Sequence, residues 1–177
     1  MEISQPEGDV EVSWPVTERE RVLELLWKQI GIPYAIGGKD KETGKWIVRG
    51  KPHIHRAEPD EFDCSGLSRW IIGQGVNIRG KRTIIPHGCR FQIRKCEPVH
   101  GDVMPLDLGF ADMRGKSEVN HVVIRYSETI VIEARGKQQG RNYGKVITRP
   151  VSAWENWKGF YGWWRVPGIY PAYVGGV

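Results

Sequence analysis

The stretch Glu61-Phe62-Asp63-Cys64-Ser65-Gly66-Leu67 is small and turn-like, and Leu67, Trp70 and Ile71 carry apolar side chains at helical spacing. Cys64 is therefore expected at or just inside a helix N-terminus. Unpaired N–H groups and the positive end of the helix dipole favour a thiolate there. With an imidazolium close by, such placement lowers a cysteine pKa from about 8.5 into a range of roughly 3.5 to 7.5. A buried structural thiol is the alternative, since free cysteine is among the most buried residue types. An Asp before the sulfur and Ser-Gly after it suit an apolar core poorly, and this favours a reactive thiol.

A thiol nucleophile needs an imidazole to take and return a proton, and a third group to fix that ring. Of five histidines, His53 and His55 fall in a charged stretch, His87 follows a proline and His100 sits in a turn. Only His121 opens a predicted core strand, where taken alone it would read as a satisfied core histidine. Glu133 shifts the weight, because a carboxylate in so apolar a strand demands a partner. His121, Val123 and Arg125 share one strand face, and Thr129, Val131 and Glu133 share one face of the next strand. Direct opposition of His121 and Glu133 requires an odd loop such as Tyr126-Ser127-Glu128. A two-residue turn at Ser127-Glu128 would send Glu133 to the other face. In the opposed pairing Glu133 would accept the Nδ1–H of His121 and leave Nε2 toward Cys64. The Cys64 N–H is available to an oxyanion, and the Tyr34 hydroxyl is a candidate second donor. A half-buried tyrosine with a wet tip is the other reading of Tyr34.

The elements that must position these groups are legible to different degrees. Thr17-Glu18-Arg19-Glu20 has the form of a capping box, followed by an apolar face of Val22, Leu23, Leu26, Trp27 and Ile30 and a stop at Gly31 and Pro33. Residues 1–16 form an arm with Trp14 and Val16 free to pack. Residues 39–62 form a loop excursion around a short hairpin at Lys45–Arg49. Pro86 starts a third helix through Ile93, and Gly101–Leu106 opens a strand system, with a polar loop over Gly109–Glu118. Strands are predicted at Asn120–Tyr126, Thr129–Ala134, Lys145–Arg149 and Phe160–Val166, with a helical turn near Ser152–Trp157. Helices first and a meander of strands after them predict an α+β fold with a central antiparallel sheet of about five or six strands.

The totals set the bounds. With 177 residues the chain reads as one domain over 17–177 behind its arm. No apolar run approaches the roughly 20 residues of a membrane span, and Met1–Glu7 is polar and acidic, unlike a signal peptide. Synthesis in the cytosol without a signal is the expectation. A net charge of +5 would suit an anionic partner, though a solvated surface explains it as well, and no nucleic-acid motif is present. Three cysteines cannot complete a disulfide framework. On a helix Cys89 and Cys96 would stand about 10 Å apart, beyond the ~7 Å a disulfide spans, so all three thiols are expected reduced. A zinc site from His87, Cys89, Cys96 and His100 has suitable ligand types but not the paired Cys-x-x-Cys spacing, and no cofactor is expected.

The ordered motifs Pro33-Tyr34-x-x-Gly37-Gly38, Phe62-Asp63-Cys64-Ser65-Gly66-Leu67, Gly101-Asp102-Val103, His121-Val122-Val123-Ile124 and Ile132-Glu133-Ala134 resemble the NlpC-type family of papain-like cysteine peptidases. The resemblance runs from about Val22 to Ala134. It implies a papain-like sheet packed on helices, with Cys64 as nucleophile, His121 as base and Glu133 as orienting residue. Tyr34 then lies beside the oxyanion site, and Asp63 and Ser65 line the substrate groove. The implied substrate is a peptidoglycan stem peptide cut next to D-Glu, by a phage lysin, a virion or tail component with partners there, or a cytoplasmic recycling enzyme. Two departures stand out: Glu133 replaces the family's common His, Asn or Gln, and the 39–62 excursion is long. Trp154, Trp157, Trp163 and Trp164 could stack on sugars or pack a last strand. A non-catalytic module on the same fold, and an acyltransferase or deamidase using the same Cys-His pair, are the alternatives.

Overall fold

A computed structural model describes residues 13–36, 61–137 and 143–171. Most of the expected arm, most of the 39–62 excursion with its Lys45–Arg49 hairpin, and His53 and His55 lie outside the described residues. Helix α1 spans Val16–Lys28, α2 Cys64–Gln74 and the short α3 Cys89–Gln92, followed by a 3-10 turn at Ile93–Lys95. The strands are β1 (Glu97–Pro98), β2 (Leu108–Ala111), β3 (His121–Arg125), β4 (Ile130–Arg135), β5 (Lys145–Pro150) and β6 (Phe160–Arg165), with α4 (Ser152–Glu155) between the last two. They form one antiparallel sheet in the order β1-β6-β2-β3-β4-β5. The expected α+β class, helices first and a strand meander after, is what the chain adopts.

Alternation along β3 and β4 divides the core in two. Val122, Ile124, Ile132 and Ala134 pack with Leu67, Ile71 and Ile72 of α2 and with Val22 and Leu26 of α1. Val123 and Val131 face the other way, onto Trp154 and Trp163. Burying both faces leaves β3 and β4 sealed, so side chains placed there are held rigidly.

Several local expectations are corrected. Thr17 is not the cap of α1: Glu18 and Arg19 both donate their N–H to the Pro15 carbonyl at 3.1 Å, which makes Pro15 the N-cap. Glu18 instead accepts from Arg21 and from the Val76 N–H at 2.8 Å. Trp27 and Ile30 are exposed rather than part of the buried face, while Gln29 is buried. The helix stops at Lys28 with Gln29 as its C-cap, and Gly31, at φ 96°, turns the chain two residues later. The third helix begins at Cys89, not Pro86. Gly101–Leu106 is no strand: Pro105 has no N–H to donate and Leu106 turns at φ 70°, so the ladder opens at Leu108. Gly109, expected in a loop, lies in the middle of the sheet. A Cβ there would come within 2.9 Å of Phe160 and Val123 and 3.0 Å of Trp163, so close packing demands the glycine.

The hairpin carries the most consequential correction. Its loop is odd, as required: Tyr126 and Ser127 both donate to the Ile130 carbonyl, leaving Ser127-Glu128-Thr129 as the turn. Pairing of Ile124 with Ile132 and Arg125 with Val131 turns the hairpin one residue later than expected. Glu133 therefore shares the face of His121 diagonally instead of standing opposite it, still within reach of long side chains.

Candidate active site

Asp63 caps α2: its Oδ1 accepts from the Gly66 N–H at 2.6 Å and from the Ser65 hydroxyl at 3.0 Å. Cys64 is thereby the first helical residue, where its own N–H has no acceptor within the helix. Packing of α2 across β3 and β4 lays the sulfur beside the start of β3, with the Asn120 carbonyl 4.0 Å away and His121 following it.

His121 and Glu133 are buried, the carboxylate completely. Nε2–H of His121 donates to Glu133 Oε2 at 2.5 Å. This reverses the expected orientation of the ring: Nε2 faces the carboxylate, and Nδ1 is left for the sulfur. With β4 displaced diagonally, the tip of the imidazole, not its near nitrogen, is what Glu133 can reach. Two arginines close the cluster from the far side, Arg135 Nη1 at 3.3 Å from Oε2 and Arg149 Nη1 at 3.7 Å from Oε1. Trp154 forms its floor, parallel to the imidazole within 16° at a centroid distance of 5.2 Å. Both guanidiniums also sit over that indole, each at 5.4 Å.

The electrostatics follow from these contacts. A hydrogen bond from Cys89, whose Sγ is 3.5 Å from that of Cys64, is the largest influence lowering the Cys64 pKa, and the His121 charge adds to it; against burial they bring it to about 5. Burial alone would lower the His121 pKa, yet the facing thiolate and then Glu133 raise it to about 9. Burial would raise Glu133, but His121, Arg135 and Arg149 hold it below the ordinary carboxylate value. Cys89 is pushed well up by its bond to Cys64 and by burial. These shifts favour a thiolate on Cys64, an imidazolium on His121 and an ionised Glu133 behind them, groups of the kind that can deliver a nucleophile and then a proton to one reacting centre.

A cleft of about 460 Å³ opens beside His121, lined among others by Tyr34, Asn120, Arg114 and Lys137. Tyr34 is half-buried, tied to Phe62 by a bridge and to Gly144 by its N–H at 2.8 Å. Burial first, then the charges of Cys64 and Asp63, raise its pKa, so its hydroxyl keeps its proton for donation. Asp63 and Ser65 are buried at the helix start, with His87 Nε2 3.2 Å from Asp63 Oδ2 and 3.5 Å from the Ser65 hydroxyl. Among the described residues no group of three or more His, Cys, Asp or Glu could hold a metal ion, and the four proposed zinc ligands do not converge. Among them, too, no helix is long and apolar enough to cross a membrane.

Of the residues that the sequence singles out, His121 and Tyr34 line the cleft, Glu133 is bonded to His121, and Cys64 lies at the start of α2 beside Asn120. Sequence reasoning missed Cys89, Arg135 and Arg149, and it weighed Trp154 only for sugar stacking or strand packing. Two further arginines at alternate and cross-strand positions around Glu133 were the available signal, since one buried carboxylate cannot neutralise an imidazolium and two guanidiniums without being central.

No curated protein sequence matches this chain. Solved structures do. A lipoprotein-like NLP/P60 family protein from Staphylococcus aureus superposes with TM-score 0.57 at 19% identity, over 89% of this chain and 44% of that one. The P60 domain of an antigen from M. avium subspecies paratuberculosis does so with TM-score 0.55 at 24% identity, over 87% of this chain and 97% of that one. The peptidoglycan hydrolase RipB from Mycobacterium tuberculosis gives TM-score 0.53 at 21% identity, over 96% and 75%. At such identities the likeness carries the papain-like α+β fold, and the chain spans under half the length of the first of these. The sequence profile of the NlpC/P60 family matches residues 31–156, well over half of the 177, so the chain belongs to the NlpC/P60 family.

Proposed function

We propose that this chain is a cysteine peptidase that hydrolyses an amide bond in peptidoglycan stem peptides, next to D-Glu, through a thioester on Cys64. The observation that carries the reading is the Cys64 sulfur at a helix start, hydrogen-bonded to the His121 imidazole, whose far nitrogen is bonded to buried Glu133. The thiolate attacks the scissile carbonyl, and the oxyanion accepts from the Cys64 N–H and the Tyr34 hydroxyl. As the C–N bond breaks, the His121 imidazolium gives its Nδ1 proton to the departing amine. Neutral His121 then takes a proton from water, which attacks the thioester and frees the sulfur. Glu133 and the Trp154 floor keep the ring aimed throughout.

Charge supports an anionic substrate. Arg114, Arg135, Lys137 and Arg149 line the cleft, and among the described residues no carboxylate joins that lining. A stem peptide with a free carboxylate beside the cut matches that lining, and RipB, which shares the fold, is a peptidoglycan hydrolase. Asp63 and Ser65, which the sequence resemblance places in the groove, are engaged with the cap and His87, so contact with substrate through them requires His87 to yield. Digestion of purified peptidoglycan with mass mapping of the fragments tests the reading. Cleavage at a peptide bond of the stem next to D-Glu is expected; fragments cut only within the glycan strand would refute it.

A further inference from the structure

Cys89 is a second thiol inside the site, and the mechanism above needs it only as a neighbour. Its Sγ lies 3.5 Å from Cys64 Sγ, and both residues are buried. The contact is braced. Gln92, one turn after Cys89, donates its amide to the Ser65 and Pro86 carbonyls at 2.8 and 2.9 Å and accepts from the Ser68 hydroxyl at 2.8 Å. These bonds lock the start of α3 onto the first turn of α2, so the two sulfurs belong to one rigid unit. Gly88, at φ 93°, provides the backbone reversal that starts α3 there.

We propose that Cys89 is the resolving thiol of Cys64, so that oxidation of the nucleophile by hydrogen peroxide ends in a Cys64–Cys89 disulfide that a dithiol reopens. The Cys64 thiolate attacks one peroxide oxygen; the S–O bond forms, the O–O bond breaks, and the departing hydroxide leaves as water with the His121 proton. Cys89 then attacks the sulfenic sulfur; the S–S bond forms, the S–O bond breaks, and the hydroxyl leaves as water with the Cys89 proton. Two thiol sulfurs are oxidised and one peroxide is reduced to two waters. A disulfide is about 2.05 Å long, so the sulfurs must close by roughly 1.5 Å, a side-chain rotation within a site that already holds them in contact. Without a resolving thiol, a low-pKa cysteine continues to sulfinic and sulfonic acid, which a thiol cannot reverse. Cys96 is not equivalent, since the thiol in contact with the Cys64 sulfur, at 3.5 Å, is that of Cys89.

The proposal rests on Cys64 being the site's thiolate, but it is read by mass and not by turnover, so its failure is separable from failure of the peptidase reading. The purified full chain, wild type, Cys89→Ser and Cys96→Ser, is treated with hydrogen peroxide, digested and mapped by mass spectrometry before and after dithiothreitol. Wild type and Cys96→Ser are expected to yield a linked Cys64–Cys89 peptide, lost on reduction with recovery of unmodified Cys64. Cys89→Ser is expected to carry sulfinic or sulfonic acid on Cys64, unchanged by dithiothreitol. Over-oxidised Cys64 in wild type without the linked peptide, a link to Cys96 instead, or Cys64 left unmodified would each overturn the proposal.

Discussion

The imidazole of His121 lies on the indole of Trp154, their planes 16° apart and their centroids separated by 5.2 Å. Trp154 is fully buried, comes from a helix of four residues, and also carries the Arg135 and Arg149 guanidiniums. A residue that supports the proposed base and the cations behind its carboxylate should couple stability to catalysis. Trp154→Ala should lower unfolding free energy by about 3 to 5 kcal/mol, the usual cost of emptying a large aromatic site. Urea denaturation measures that loss. At a temperature where the variant is still folded, kcat should fall as well, because the ring loses one of its two supports.

In the proposed mechanism the Cys64–His121 pair sets the pH window. Below about 5 the Cys64 sulfur takes up a proton and the nucleophile is lost. Above about 9 the His121 imidazolium gives up its proton and none is left for the amine. A plot of kcat/KM against pH on a soluble stem peptide should form a broad bell with limbs near those values, which belong to the pair as a unit. A basic limb near the ordinary histidine value of 6.5 would mean that the pair does not form.

Glu133 answers three cations at once, so Glu133→Gln should be costly. Removing one partner of a buried ion pair destabilises by about 3 to 5 kcal/mol. The sign of its pH dependence is fixed by a carboxyl whose folded pKa lies below its ordinary 4.5. The stability it adds is present above that value and is lost as pH falls through the acid range, so wild type and variant should converge in acid. Thermal melts across pH check this. The His121 pKa, followed by NMR, should drop in the variant.

Arg114 and Lys137 are exposed members of the cleft lining. Exchanging each for Gln should raise KM for a stem peptide with a free carboxylate by up to roughly fivefold, the scale of an exposed ion pair worth about 0.2 to 1 kcal/mol. The kcat should stay nearly unchanged, and a substrate whose carboxylate is amidated should show little difference between wild type and variant. Equal losses on both substrates would remove charge recognition from the account.

The site was legible where local chemistry is local. Asp-Cys-Ser-Gly before an apolar helical run placed the sulfur at a helix start, and a carboxylate stranded in Ile-Val-Ile-Glu-Ala pointed to a buried partner. Parity of the hairpin loop was inferable from the face requirement, but its centre was not, because neither glycine nor asparagine marks Ser127-Glu128-Thr129. That one-residue displacement decided which imidazole nitrogen meets Glu133. Strand β2 was hidden because Leu-Gly-Phe-Ala shows no alternation and its glycine mimics a loop, while the reason for the glycine lies in Phe160, Val123 and Trp163, far along the chain. Cys89 was invisible as a partner of Cys64 for the same reason: their contact depends on Gln92 fastening α3 to α2.

Peptidoglycan digestion by wild type and Cys64→Ala, compared at matched folding by circular dichroism, tests the central claim most directly. Loss of a nucleophile that acts as part of a unit commonly costs upward of about 10³-fold in kcat. The account predicts that Cys64→Ala folds like wild type and releases no stem-peptide fragments above background. Release of the same fragments at the wild-type rate would contradict it.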